Sequence, residues 1–142
     1  MPSGVEEFGA AAAALAILRF LADSGIFLYN ILSKDGRVHR QHGQLHGWVC
    51  ALQFVFSSLQ EEDAFKNDKQ IQELVAEGVA KLNSYEEALA QFDLPEDAGM
   101  LARAWNGVKI RFRGKLEEIQ PIVQQTVKRL ELSIPISNRY VV

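Results

Sequence analysis

The chain has 142 residues, of which 48% are hydrophobic and 23% charged, as in one globular domain spanning residues 1–142. A chain of this size can bury a core without disulfides or metal, which makes a two-domain protein a poor fit. The single Cys50 excludes an internal disulfide, and no secretory leader pattern opens the chain, so we expect a cytoplasmic protein.

The net charge of −3 is distributed unevenly along the chain. Residues 61–99 hold eleven acidic and three basic side chains, whereas residues 100–142 hold eight basic and three acidic ones. Such segments can pair with each other inside the domain, or the basic one can face an acidic partner such as anionic lipid. We expect internal pairing to dominate.

The first predicted helix opens with the capping pattern Ser3-Gly4-Val5-Glu6 and ends at residue 32. Between residues 8 and 32 only Arg19 and Asp23 are charged, and their i, i+4 spacing lets them face each other. The uncharged run, residues 8–18, is shorter than the roughly twenty residues needed to cross a bilayer, so we predict no transmembrane span. The helix is nonetheless more apolar than a surface helix, which predicts a central position or a second environment.

The next two helices are predicted from apolar residues spaced by three and four. One spans residues 38–60, and its apolar stripe comprises Leu45, Trp48, Val49, Leu52, Val55, Phe56 and Leu59. The other begins after Asn67, which we expect to cap it while Gln70 reaches back. Its apolar positions continue to Leu89.

A last helical region is predicted over residues 97–132. Pro121 either kinks it or opens a further helix. Residues 133–142 lack a helical period and are expected to form an extended tail. Since no strand pattern occurs, the chain is predicted to be an all-α bundle of four to five helices with a long apolar N-terminal helix.

No catalytic or metal-binding site is predicted. His39, His42 and His46 lie on one helix, but the outer two are about two turns apart, too far for one tetrahedral ion without a further group. Cys50 is expected to be a small buried hydrophobe, although His46 lies one turn away. No nucleotide-binding or serine-hydrolase motif occurs, so the chain is predicted to be a non-enzyme without cofactor.

A basic run, Lys109, Arg111, Arg113 and Lys115, alternates with uncharged residues. On a helix these side chains spread around the circumference, which favours a solvated or internally paired face. Contact with acidic lipid or another partner is the next alternative. Nucleic acid is not expected, because no exposed aromatic residues are interleaved.

The layout of the chain resembles a known family. Its elements are the Ala-rich first helix, an acidic third helix and the segments His46-Gly47-Trp48-x-x-x-Leu52, Trp105-x-x-x-Lys109-Ile110-Arg111-Phe112-Arg113-Gly114-Lys115-Leu116-x-x-Ile119 and Leu130-x-Leu132-Ser133-Ile134. This layout resembles the HeLo, HeLo-like and SesA-type N-terminal domains of fungal NLR-like (STAND) proteins.

The resemblance implies a non-enzymatic domain of programmed cell death or innate immunity. Such a domain self-associates and inserts its N-terminal helix into the plasma membrane. The residues implied in insertion are Phe8, Leu15, Ile17, Leu18, Phe20, Leu21, Ile26, Phe27 and Leu28. Charged replacements of Leu15, Leu18 and Leu21 are then expected to abolish membrane permeabilisation.

Two alternatives remain open. The chain can be a soluble module that docks other helical proteins, with its first helix in the core. It can also be a bundle that encloses an apolar small molecule between Trp48, Phe56, Trp105 and Phe112. Plain core packing of these four aromatic residues is the simpler expectation.

Overall fold

The computed structural model describes residues 4–34, 36–92 and 95–134, with the side chains of α1 from Gly9 onward. All regular elements in these ranges are helical, which confirms the all-α prediction. They are α1 (Gly4–Leu32), α2 (Val38–Glu61), a short 3₁₀ helix (Asp63–Phe65), α3 (Lys69–Ala90) and α4 (Ala98–Ser133). The predicted capping box at Ser3 lies outside the described residues. The predicted extended tail, residues 133–142, begins too early, because Ser133 is the last residue of α4, and residues 135–142 lie outside the described residues.

The four α-helices form an antiparallel bundle. Each packs against the next in chain order, and α4 closes the ring against α1. The Trp48 indole N–H donates to the Leu21 carbonyl at 2.9 Å and joins α2 to α1. The Gln120 amide donates to the Ala22 carbonyl at 2.9 Å and joins α4 to α1. Short connections between antiparallel neighbours are what such a bundle requires.

The apolar stripes of α2, α3 and α4 meet in one core. All seven residues of the predicted α2 stripe are buried, so that prediction is confirmed. On α4 the buried apolar residues include Trp105, Val108, Phe112, Leu116, Ile119, Val123 and Leu130. Met100, in the first turn of α4, is exposed, so the buried side of this helix begins after its first turn.

The start of α3 differs from expectation, and the two alternatives left open for Pro121 can be told apart. The N-cap of α3 is Asp68, whose Oδ1 accepts a hydrogen bond from the Ile71 backbone N–H at 3.2 Å, so the prediction of Asn67 is wrong. α4 continues as one helix through Pro121, so the proline does not open a fifth helix. The described ranges therefore contain four α-helices.

Ion pairs join helices that are distant in sequence. Arg19 Nη2 on α1 lies 2.6 Å from Glu131 Oε1 on α4. The sequence had suggested Asp23, on the same helix, as the partner of Arg19. Arg129 Nε lies 3.3 Å from Asp68 Oδ2, which ties α4 to the start of α3. The Arg129–Asp68 pair is thus one contact between the acidic and basic segments within the bundle.

Asp68 carries a pH-dependent contribution to stability. Burial raises its pKa, but hydrogen bonds from the Ile71 N–H and the Ser133 hydroxyl, together with the charge of Arg129, outweigh burial and hold the pKa below its ordinary value. A carboxyl whose pKa is lowered by folding stabilises the protein above the pKa of its unfolded form, about 3.9, and loses this effect as the pH falls through the folded pKa.

We expect Asp68→Asn to lower the free energy of unfolding by about 1 kcal/mol at pH 7, because the amide keeps the cap but loses the charge beside Arg129. The deficit should shrink towards pH 3. Urea unfolding of both proteins across this range measures it, with the exposed Asn67→Ala as control. A deficit that stays constant with pH, or an equal loss for Asn67→Ala, contradicts the assignment.

Candidate functional site

Helix α1 has an inner and an outer face, and both are apolar. Of the nine residues implied in membrane insertion, four are buried in the core: Leu15, Leu18, Leu21 and Leu28. Four others face solvent with exposed fractions of 44% to 69%: Ile17, Phe20, Ile26 and Phe27. The side chain of Phe8 lies outside the described residues. One side of α1 thus packs in the core, and large apolar side chains are exposed on the other side.

Most of the outward apolar residues lie along one line. Ile17, Phe20, Phe27 and Ile31 recur at helical spacings of three, seven and four, which keeps them on one side of α1. We call these four residues the outer stripe. Ile31 is half-buried and the other three are exposed. A contiguous exposed apolar patch on a small domain marks an interaction site more often than scattered single residues do.

The composition of α1 also bears on membrane contact. Gly9–Leu32 is long and apolar enough to cross a membrane by length and composition, with a mean hydropathy of 1.7. The prediction of no transmembrane span counted only the uncharged run, residues 8–18, whereas the whole helix has the length and composition of a span. Length and composition alone do not test that prediction. A core helix of a soluble protein can have the same length and composition, and 44% of the most apolar part of this segment is buried. The exposure of the outer stripe is therefore the more informative observation.

Basic side chains flank the C-terminal end of the outer stripe. Lys34, Arg37 and Arg40, which we call the basic rim, are exposed, and together with Phe27 and Ile31 they line one surface groove. None of the three forms an ion pair with another residue in the described ranges. These three residues were not predicted as a site, although their three-residue spacing across the α1–α2 connection is visible in the sequence.

The predicted basic run does not form one surface. Lys109 is buried, and its Nζ donates to the Lys34 carbonyl at 3.3 Å. Lys115 Nζ lies 4.7 Å from the centroid of the Phe112 ring. Arg111 is exposed and Arg113 is half-buried. Two of the four cations are thus engaged inside the protein, and the run offers no shared face to a lipid or partner.

The four aromatic residues considered for an apolar ligand cavity belong to the core. All are buried: Trp48, Phe56, Trp105 and Phe112. Each indole N–H is satisfied within the protein, by the Leu21 carbonyl for Trp48 and by Gln41 Oε1 at 2.8 Å for Trp105. This arrangement favours core packing over a ligand cavity.

A cluster of potential metal ligands lies between α2 and α3. His46 Nε2 lies 3.6 Å from Cys50 Sγ, and Glu86 brings a carboxylate from α3 to the same place. Burial, and secondarily the negative charge of Glu86, raises the pKa of the Cys50 thiol. His39 is exposed and His42 stacks on His46 with ring centroids 6.3 Å apart. This cluster was not predicted from the sequence, because Glu86 lies on a different helix from His46 and Cys50.

No protein-family model, curated protein or solved structure matches the chain. The resemblance to HeLo-type domains stays a prediction. An all-α bundle is what the resemblance implies, but the apolar periodicity alone predicts the same fold, so the fold does not test the resemblance.

Proposed function

We propose that this chain is a non-enzymatic helical bundle that associates with anionic membrane surfaces through the outer stripe of α1 and the basic rim. The observation that carries the proposal is the exposure of Phe20 by 69% and Phe27 by 63% on the most apolar helix of the bundle. Covering apolar surface is worth about 25 cal/mol per Å², so these side chains favour an apolar environment over water.

The charges beside the outer stripe favour lipid as that environment. Membrane-surface helices combine apolar side chains that enter the acyl region with Lys and Arg that remain among the headgroups. Each cation near an anionic leaflet contributes about 1 kcal/mol of attraction. Lys34, Arg37 and Arg40 lie where they would meet headgroups if Phe27 enters the bilayer.

The proposal includes a second stage that follows the family resemblance. After docking, α1 leaves the bundle, copies self-associate and the helix enters the plasma membrane, as in a cell-death domain. Leaving the bundle would break the Arg19–Glu131 ion pair and the hydrogen bond from Trp48 to Leu21. Charged replacements of the buried Leu15 and Leu18 would unfold the bundle, so only outward residues test lipid contact.

We expect the double variant Phe20→Ser/Phe27→Ser to bind anionic liposomes at least about tenfold more weakly than the wild type, because two rings no longer enter the acyl region. Sedimentation with phosphatidylserine-containing and pure phosphatidylcholine vesicles measures binding. Release of an encapsulated dye measures permeabilisation. Circular dichroism and thermal unfolding confirm that the variant is folded.

Phe54→Ser is the matched control, because Phe54 is 72% exposed on α2 and lies outside the outer stripe. It should bind liposomes like the wild type. Neutralising Lys34, Arg37 and Arg40 to Gln should remove the preference for anionic vesicles. The proposal is wrong if the wild type binds neither vesicle, or if the double variant and the control bind equally.

A soluble interaction module is the second candidate, and one observation favours it. Outward positions of α1 alternate in steps of three and four, the spacing of a helix–helix seam: Ala10, Ala13, Ile17, Phe20, Ser24, Phe27 and Ile31. Under this alternative the wild type does not bind liposomes and is a dimer in sedimentation equilibrium. The double variant Phe20→Ser/Phe27→Ser is then a monomer.

A further inference from the structure

Three side chains of different chemistry converge on the α2–α3 face. His46 and Cys50 lie one turn apart on α2, and Glu86 faces them from α3. One ligand atom from each residue lies within 4.8 Å of the other two, and all three residues are half-buried. We propose that His46, Cys50 and Glu86 bind one divalent cation of the zinc class, independently of the lipid contact proposed for α1.

The chemistry of the three groups selects the cation. Zinc binds thiolate, imidazole and carboxylate in tetrahedral sites with bonds of about 2.0 to 2.3 Å, which separates adjacent ligand atoms by about 3.5 Å. The Cys50 Sγ to His46 Nε2 distance of 3.6 Å fits that edge. Magnesium and calcium prefer sites made of oxygen ligands, so a thiol and an imidazole disfavour them. The fourth position is left to water.

Neighbouring side chains hold the carboxylate and the imidazole in position. The Gln53 amide donates to Glu86 Oε2 at 2.8 Å, which restrains the carboxylate. The same amide donates to Asn83 Oδ1 at 3.0 Å. The His42 ring stacks on His46 with an interplanar angle of 7°. Such outer contacts orient metal ligands, and here the ligands themselves stand on two packed helices.

Isothermal titration calorimetry of the chelator-treated protein with zinc sulfate tests the proposal. We expect one equivalent to bind, and cobalt(II) to produce the near-ultraviolet absorption of a thiolate–cobalt bond. Because the ion would join α2 to α3, zinc at a hundredfold excess over its Kd should raise Tm by about 5 to 10 °C. Magnesium should produce neither effect.

Variants assign the ligands. Cys50→Ser and Glu86→Gln should each weaken zinc binding by about 100-fold and abolish the zinc-dependent rise in Tm. Their Tm in chelator should stay close to that of the wild type, because none of the three ligands belongs to the buried core. His39→Gln, an exposed histidine outside the cluster, is the control and should bind like the wild type. Absence of one-to-one zinc binding, or unchanged binding by both ligand variants, overturns the proposal.

Discussion

Replacing Gln41 with leucine is expected to lower the free energy of unfolding by about 3 kcal/mol. Gln41 is buried, and its Nε2 donates to the carbonyls of Ile31 at 3.1 Å and Lys34 at 3.3 Å. Its Oε1 accepts the Trp105 indole N–H at 2.8 Å. This one amide therefore links the end of α1, the start of α2 and α4, and leucine leaves the buried indole N–H without its partner.

Urea unfolding measures the loss, and Gln44→Leu is the matched control because Gln44 is exposed one turn along the same helix. A double-mutant cycle with Trp105→Phe isolates the indole contact. The phenylalanine side chain has no N–H. Trp105→Phe should therefore lower the free energy of unfolding less in the Gln41→Leu background than in the wild type. Additive effects, or equal losses for Gln41→Leu and Gln44→Leu, would refute the role assigned to Gln41.

The bundle itself was predictable from the sequence because its helices are long and periodic. The α2 stripe from Leu45 to Leu59 repeats at threes and fours, and every predicted member is buried. Asp97 was predicted to begin the last helix, and it caps α4 by accepting the Met100 N–H at 2.9 Å. An apolar stripe and an N-cap both involve residues only a few positions apart, so they can be recognised in the sequence.

Contacts between distant helices were not predictable in the same way. Arg19 and Glu131 are 112 positions apart, and no local pattern links them. Asn67 and Asp68 are both good N-caps by residue type. The bonds of Asp68 to Arg129 and Ser133, on the far helix, accompany its role as the cap. Because residue type does not separate the two candidates, these tertiary partners distinguish Asp68 from Asn67.

The residues of the candidate sites also depend on contacts between helices, which the sequence does not show. Since α1 is apolar on all sides, its sequence does not show that Leu18 faces the core while Phe20 faces solvent. Only the packing of α1 against α2 and α4 distinguishes the two positions. The basic residues were misjudged for a related reason, because a charged side chain can be buried where a carbonyl accepts it. Lys109 does this at the Lys34 carbonyl. Glu86 joins His46 and Cys50 only through the α2–α3 packing.

That packing depends on a glycine. A Cβ placed on Gly78 of α3 would lie 2.7 Å from Cε2 of Phe56 on α2, and the Phe56 ring is fully buried. Glycine within a helix costs about 1 kcal/mol relative to alanine, and here the close approach of two helices offsets that cost. We expect Gly78→Leu to lower the free energy of unfolding by about 3 kcal/mol, because the new side chain must displace the ring or separate the helices.

Gly114→Leu on α4 is the control, since Gly114 is exposed and a Cβ there meets nothing within 4 Å. It should leave stability unchanged or raise it slightly through helix propensity. Equal effects of the two leucines in urea unfolding would exclude a tight contact at Gly78. Cys50 and Glu86 lie on the same two helices, so a Gly78→Leu protein that still folds should also bind zinc more weakly. The outer stripe is on α1, so its liposome binding should persist in that protein.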